Sequence, residues 1–193
     1  MPNATRARLI GMSGSLRTGS YSKAVLATLG EKFADRADLR IYDLEPIPPY
    51  DEDCEGDNLP TPVRELLSSI AGADGVVLCP PEFNHGMPGV LKNALDWASL
   101  STSVLAHKPV AIMTATRAAL GGPRCLEQMR VVLDAMMARV IVAREVIITS
   151  VHDKIRDGKL VDETCLGFAS AAVEALLREI ELVKAADIRP GFS

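Results

Sequence analysis

Short apolar runs alternate with segments of helical period along this chain, and that order admits few folds. The stretches 8–13 (R-L-I-G-M-S), 39–44 (L-R-I-Y-D-L), 75–79 (G-V-V-L-C), 109–115 (P-V-A-I-M-T-A) and 140–148 read as strands. The second alternates apolar with polar residues, as a half-exposed strand does. The third and fourth are unbroken apolar runs, the mark of parallel strands covered on both faces. Between them lie helical segments. In 22–33, Val25, Leu26, Leu29 and Phe33 fall at helical spacing. Thr61 is expected to cap the next helix, with Pro62 at its first position. Pro88 opens a helix through Trp97, and 122–138 is helical. Asp162 caps a long last helix whose Leu166, Ala169, Val173, Leu176, Ile180 and Val183 share one face. Strands that each lead into a helix give a parallel sheet wrapped on both sides by right-handed crossovers. The 193 residues suffice for one such unit. No repeat or linker divides it, so a single domain over 1–193 is expected.

Open sheets of this kind bind ligands beyond the carboxyl ends of their strands. The loops after the first, third and fourth strands are therefore where chemistry is expected. The first reads G-M-S-G-S-L-R-T-G-S-Y-S-K, residues 11–23. It ends at a helix start, where unpaired N–H groups and partial positive charge attract anions. Ser15, Ser20 and Ser22 add hydroxyls, and Arg17 adds a permanently charged fork. The glycine spacing is neither G-x-G-x-x-G nor Walker A. A hydroxyl-rich loop suits a terminal phosphate monoester, as in FMN, better than a bridging pyrophosphate. The competing reading is a flexible Ser/Gly turn with a solvated arginine.

The second loop, P-P-E-F-N-H-G-M-P-G-V-L-K-N-A-L-D-W-A-S (80–99), is a stiff turn leading into a helix. Phe83 is an apolar plate, and Asn84 offers amide donors and an acceptor. Glu82 is either a general acid or base, or a carboxylate that caps a helix or faces solvent.

Bulk properties narrow the partners. The formal charge is −4, which argues against nucleic acid. No apolar run approaches the roughly 20 residues of a membrane span, and M-P-N-A-T-R-A-R has no signal-like apolar stretch. A cytoplasmic protein without a membrane partner is expected. Cys54, Cys79, Cys125 and Cys165 form no C-x-x-C pair, so reduced thiols are the default, with Cys79 in the core. His85, His107 and His152 are scattered, and no metal is expected.

Three stretches together resemble the NADPH-dependent FMN reductase family, which includes bacterial quinone and chromate reductases. They are G-S-L-R-T-G-S-Y-S, P-E-F-N-H-G-M-P-G-V-L-K-N-A-L-D-W-A and T-A-T-R-A-A-L-G-G-P-R (114–124), and the likeness runs over roughly 8–148. The resemblance implies a flavodoxin-like, doubly wound five-stranded parallel sheet, order 2-1-3-4-5, with helices on both faces. It implies non-covalent FMN, its phosphate lined by Ser15, Arg17, Ser20 and Ser22, with Tyr21 packed nearby. Pro81, Glu82, Phe83 and Asn84 would run along the isoalloxazine and ribityl chain. Thr116 and the Gly121-Gly122 turn would close the other side. His85 would sit beside the flavin, either as a proton donor or packed locally.

The chain departs from the family's usual residues at three places. Ser22 stands where Asn is common, and Phe83 where Tyr is common. Thr116-Arg117-Ala118 replaces a smaller Ser-Pro-Gly kind of stretch, and Arg117 either holds the 2′-phosphate of NADPH or is solvated.

By the same resemblance, NADPH would pass hydride to FMN. The reduced flavin would then serve quinones, azo or nitro compounds, or chromate, in a ping-pong sequence. Hydride transfer needs no nucleophilic residue, since the flavin carries the chemistry. The alternative is a flavodoxin-type electron carrier without NAD(P)H turnover of its own, against which Arg17 and the modest charge weigh. A dehydrogenase with Asp43 on a ribose is disfavoured by the missing glycine fingerprint. The helix over 122–138 is apolar around most of its circumference, including Met129, Met136 and Met137. Either it is wholly buried or its outer face meets another subunit; homodimers or homotetramers are the family's habit.

Overall fold

The computed structural model describes residues 6–100 and 103–187. Residues 1–5 and 188–193, the ends of the expected single unit, lie outside that range, as does most of the polar leader. β1 (Ala7–Met12), β3 (Gly75–Leu78) and β4 (Pro109–Ala115) are the apolar runs of the sequence, and nearly every residue in them is buried. β2 (Ala37–Ile41) alternates in burial, as an edge strand covered on one face must. The strand order is β2-β1-β3-β4-β5, with β5 (Arg139–Val140) at the far edge. Every pairing in this sheet is parallel. This is the flavodoxin-like order expected from the resemblance.

Alternate strand residues enter two separate cores. Leu9, Val77, Ala111 and Met113 face α1 (Tyr21–Lys32) and α6 (Glu163–Ala185). Ile10, Met12, Val76 and Leu78 face α2 (Thr61–Gly72), α3 (Gly89–Ala98) and α4 (Pro123–Ala135). Burying a Leu or Ile side chain contributes about 1.5–3 kcal/mol, so these two layers carry the fold. Cys79 is fully buried in the first layer, and none of the four cysteines is in a disulfide.

Several boundaries differ from the sequence reading. The expected strand over 140–148 is broken. β5 and β6 (Val146–Ile148) both pair with β4, and the chain leaves the sheet between them. Polar partners draw it outward: Arg144 stacks over the Phe168 ring at 5.0 Å, and Glu145 pairs with Arg130 at 3.7 Å. Thr61 does not cap α2 but is its first residue, with Pro60 at the cap. The second strand starts two residues before the expected 39–44 and ends three residues before its end, because Asp43 is drawn out of the sheet by Lys23 (3.7 Å) and the Glu45 N–H (3.3 Å). α4 ends at Ala135 rather than 138, where Met137 adopts φ +54° and turns the chain toward β5. Between β6 and α6 the sequence reading missed α5 (Val151–Lys154) and the hairpin of β7 (Ile155–Arg156) and β8 (Lys159–Leu160). Its Asp157-Gly158 turn has both residues at positive φ, the pairing a tight hairpin favours.

Candidate functional site

At the end of β1 the chain turns off the sheet through Gly14, at φ +62°. A Cβ there would lie 2.9 Å from Leu91 Cβ, so the turn seats directly on α3. Ser20 is the N-cap of α1, its hydroxyl oxygen accepting the Lys23 N–H at 3.2 Å. The N–H groups of Tyr21 and Ser22 in the first turn then have no intrahelical acceptor. Ser22 donates its hydroxyl to Ala115 O at 3.4 Å, tying α1 to the end of β4. Arg17 is held in place: one Nη donates to Gly19 O at 3.0 Å, and the guanidinium lies 5.3 Å from the Tyr21 ring centre.

The loop after β3 folds into a two-residue hairpin. Phe83 and Gly86 exchange backbone hydrogen bonds of 2.9 and 3.0 Å around Asn84 (φ +49°) and His85 (φ +66°). Two left-handed residues in sequence are the signature of a type I′ turn. Phe83 is left 54% exposed. Two side chains fasten the hairpin to α4. Glu82 Oε2 accepts the Cys125 N–H at 3.0 Å, and Gln128 Oε1 accepts the Met87 N–H at 2.6 Å. Glu82 is thus a capping carboxylate. His85 Nδ1 lies 3.1 Å from the Arg124 guanidinium and 3.7 Å from Glu82 Oε1, so the ring is held at the foot of α4. Burial, with Glu82 adding to it, pushes the Cys125 thiol up to about 12, so it stays protonated.

The loop after β4 is anchored to the β6–α5 junction. Thr116 N–H donates to Ile148 O and Val151 N–H to Thr116 O, each at 3.0 Å. Ser150 N–H reaches Ala118 O at 3.4 Å, so the backbone is tied on both sides of Arg117. Gly121, at φ +73°, has no room for a side chain: a Cβ would meet Ile147 Cγ2 at 2.2 Å.

These loops enclose a pocket of about 140 Å³. Of the residues singled out in the sequence, Ser15, Arg17, Ser20, Tyr21, Ser22, Pro81, Phe83 and Thr116 line it. Glu82, Asn84, His85, Gly121 and Gly122 do not. The first caps α4, the next two form the hairpin tip, and the glycines pack behind the wall against Ile147 and Thr114. Ala115, Arg117 and Val151 complete the lining. No Asp or Glu lines the pocket, so its charge is wholly positive. Val151 carried no sequence signal. Gln128 was equally hidden, since its partner is 41 positions away. A larger groove, about 690 Å³, runs between Arg36 and Leu182. It lies at the amino ends of the strands, the end where open sheets do not place their ligands.

The family model described as NADPH-dependent FMN reductase matches residues 7–153. The chain is 33% identical over 182 residues to a quinone reductase of Escherichia coli (strain K12), covering 92% of this chain and 97% of that protein. It is 32% identical over 171 residues to an NAD(P)H-dependent FMN reductase of Pseudomonas aeruginosa, covering 88% and 92%. Among solved structures it is similar to FerB, a flavoenzyme NAD(P)H:(acceptor) oxidoreductase from Paracoccus denitrificans, with TM-score 0.82 and 24% identity over 96% of this chain and 100% of that one.

Proposed function

The chain belongs to the NADPH-dependent FMN reductase family, and on that premise we propose that it holds FMN non-covalently at the carboxyl ends of β1, β3 and β4. In this reading the phosphate lies against Ser15, Arg17, Ser20 and Ser22. The observation that carries it is the composition of the pocket: the guanidiniums of Arg17 and Arg117, several hydroxyls and an open helix N-terminus, with no acidic side chain in the wall. That donor set fits a phosphate dianion. The half-exposed Phe83 ring beside it fits an aromatic ring system.

When bound, FMN supplies the redox chemistry, taking hydride from NAD(P)H and returning electrons to an acceptor. The protein's own tasks are binding and charge placement. Among the described residues, the N–H groups of Asn84 and His85 at the hairpin tip have no acceptor in the chain. They would offer fixed donors to a bound flavin ring and favour negative charge there. Pro81 and the Gly86 hydrogen bonds hold that tip rigid. Quinones are the acceptor class in this reading, with azo, nitro and chromate compounds as further candidates and NADPH as co-substrate.

The same proposal includes a homodimer or homotetramer and a cytoplasmic location. Met129 and Met136 are buried under α4, yet Val131 is 71% exposed on its outer side and Met137 is also exposed. A second subunit on that face would cover them. Among the described residues no helix is long and apolar enough to cross a membrane.

The test is the pigment. Purified protein should carry a flavin absorbance, release FMN on heating, and oxidise NADPH with a quinone present. Protein that takes up no FMN when incubated with it would overturn the assignment. FMN uptake without NADPH oxidation would make the chain a carrier instead.

A further inference from the structure

We infer that Arg117 is a second phosphate-binding guanidinium, closing on the flavin 5′-phosphate opposite Arg17. The inference rests on the FMN reading above and extends it to a residue where the family usually has a small one. Three observations carry it.

Arg117 lines the same pocket as Ser15, Ser20 and Ser22, so it faces the open N-terminus of α1. Its mount is not a free loop tip, because Thr116 and Ala118 on either side are hydrogen-bonded to the β6–α5 junction. Its charge is also uncommitted: among the described residues its guanidinium has neither a hydrogen-bond acceptor nor an ion-pair partner. Arg17, by contrast, already spends one Nη on Gly19 O and lies beside the Tyr21 ring. Two like charges facing one acid-free pocket repel each other until an anion separates them. A phosphate monoester near two negative charges matches two guanidiniums better than one.

Two ligands of this system carry such a group, the 5′-phosphate of FMN and the 2′-phosphate of NADPH. The position of Arg117, among the hydroxyls at the α1 N-terminus, selects the flavin's.

The experiment compares FMN with riboflavin, which differ only in that phosphate. Dissociation constants are read from quenching of flavin fluorescence for the parent protein, Arg117→Ala, Arg117→Lys and Arg17→Ala. Circular dichroism establishes that each variant is folded. Arg117→Ala should weaken FMN binding about 10- to 100-fold, the range for losing one charge-assisted contact, and leave riboflavin within about twofold. Arg117→Lys should fall between, having the charge without the fork. The salt dependence of FMN binding should become shallower in Arg117→Ala. If Arg117→Ala binds FMN like the parent while Arg17→Ala does not, the inference fails and the FMN site stands. If FMN and riboflavin weaken equally, Arg117 shapes the loop and the inference fails. If only the KM for NADPH rises, the phosphate belongs to the nucleotide and the inference fails. A parent protein that does not prefer FMN to riboflavin sinks the site reading and the inference together.

Discussion

Glu82 and Cys125 stand 43 positions apart in sequence, yet the Glu82 carboxylate accepts the Cys125 N–H at 3.0 Å and caps α4 from the neighbouring loop. One contact therefore closes a helix end and sets the root of the 83–86 hairpin. Removing an N-terminal cap costs about 0.5–2 kcal/mol, and the carboxylate also answers the positive end of the helix dipole. Glu82→Ala should lower Tm by several degrees, at about 2–4 °C per kcal/mol for a chain of this length. Glu82→Gln keeps an acceptor oxygen and should recover much of the loss. A general acid or base would behave otherwise: Glu82→Gln would then abolish turnover with Tm unchanged, and a pH–rate profile separates the two.

Gln128 holds the same hairpin from the other side, through the Met87 N–H at 2.6 Å. Met87 is buried, so losing that acceptor strands a backbone donor, at a cost of about 1–3 kcal/mol. Gln128→Ala should destabilise the chain by that amount and loosen FMN retention, measured by the rate of flavin release on dilution. Gln128→Glu restores an acceptor and should retain flavin near the parent rate.

What the sequence made legible follows from the range of the forces involved. β3 and β4 were plain because strands covered on both faces read as unbroken apolar runs, and these two have no exposed residue. The fifth strand misled because Val142 is apolar yet fully exposed, and only the distant partners Phe168 and Arg130 pull Arg144 and Glu145 away from the sheet. Ser15, Arg17 and Ser20 were legible because they stand on one short loop between a strand and a helix. The fastening of the hairpin by Gln128 was not, since a glutamine on a helix has no local signature of its partner. Glu82 was ambiguous for the same reason: a carboxylate in a loop becomes a cap only once the fold brings a helix end to it.

Lys108 makes stability depend on pH. It is fully buried, and its Nζ donates to the carbonyl oxygens of Ala73 and Ala71 at the end of α2. Burial pushes its pKa down from 10.5 to about 8. Between those two values the unfolded chain holds a proton that the folded chain does not. Folding stability should therefore rise as pH climbs from about 8 toward 10.5, by up to roughly 3 kcal/mol from this residue. Below about 8 both states are protonated and Lys108 contributes no slope. Urea unfolding at pH 7.5 and 9.5 should show this gain in the parent and lose it in Lys108→Met, the difference between the two cancelling other groups that titrate there. Parallel pH dependences in the two proteins would contradict it.

The glycines of the first loop are not equivalent, and substitution should separate them. Gly14 sits at φ +62°, and a Cβ there would lie 2.9 Å from Leu91 Cβ and 3.2 Å from Pro88 Cγ. Alanine at this position pays twice, about 1–2 kcal/mol for the left-handed backbone and about 1–3 kcal/mol for forcing α3 aside. Gly19 has no left-handed φ, and its nearest neighbour would be Arg17 Nη2 at 3.7 Å, ordinary contact with the end of a flexible side chain. Gly14→Ala should therefore lower the urea midpoint strongly at unchanged m-value. Because Pro88 and Leu91 lead from the hairpin into α3, it should also weaken FMN binding. Gly19→Ala should leave the urea midpoint nearly where it was. Equal midpoints for the two variants would mean that the turn off β1 is not seated on α3 as the contacts require.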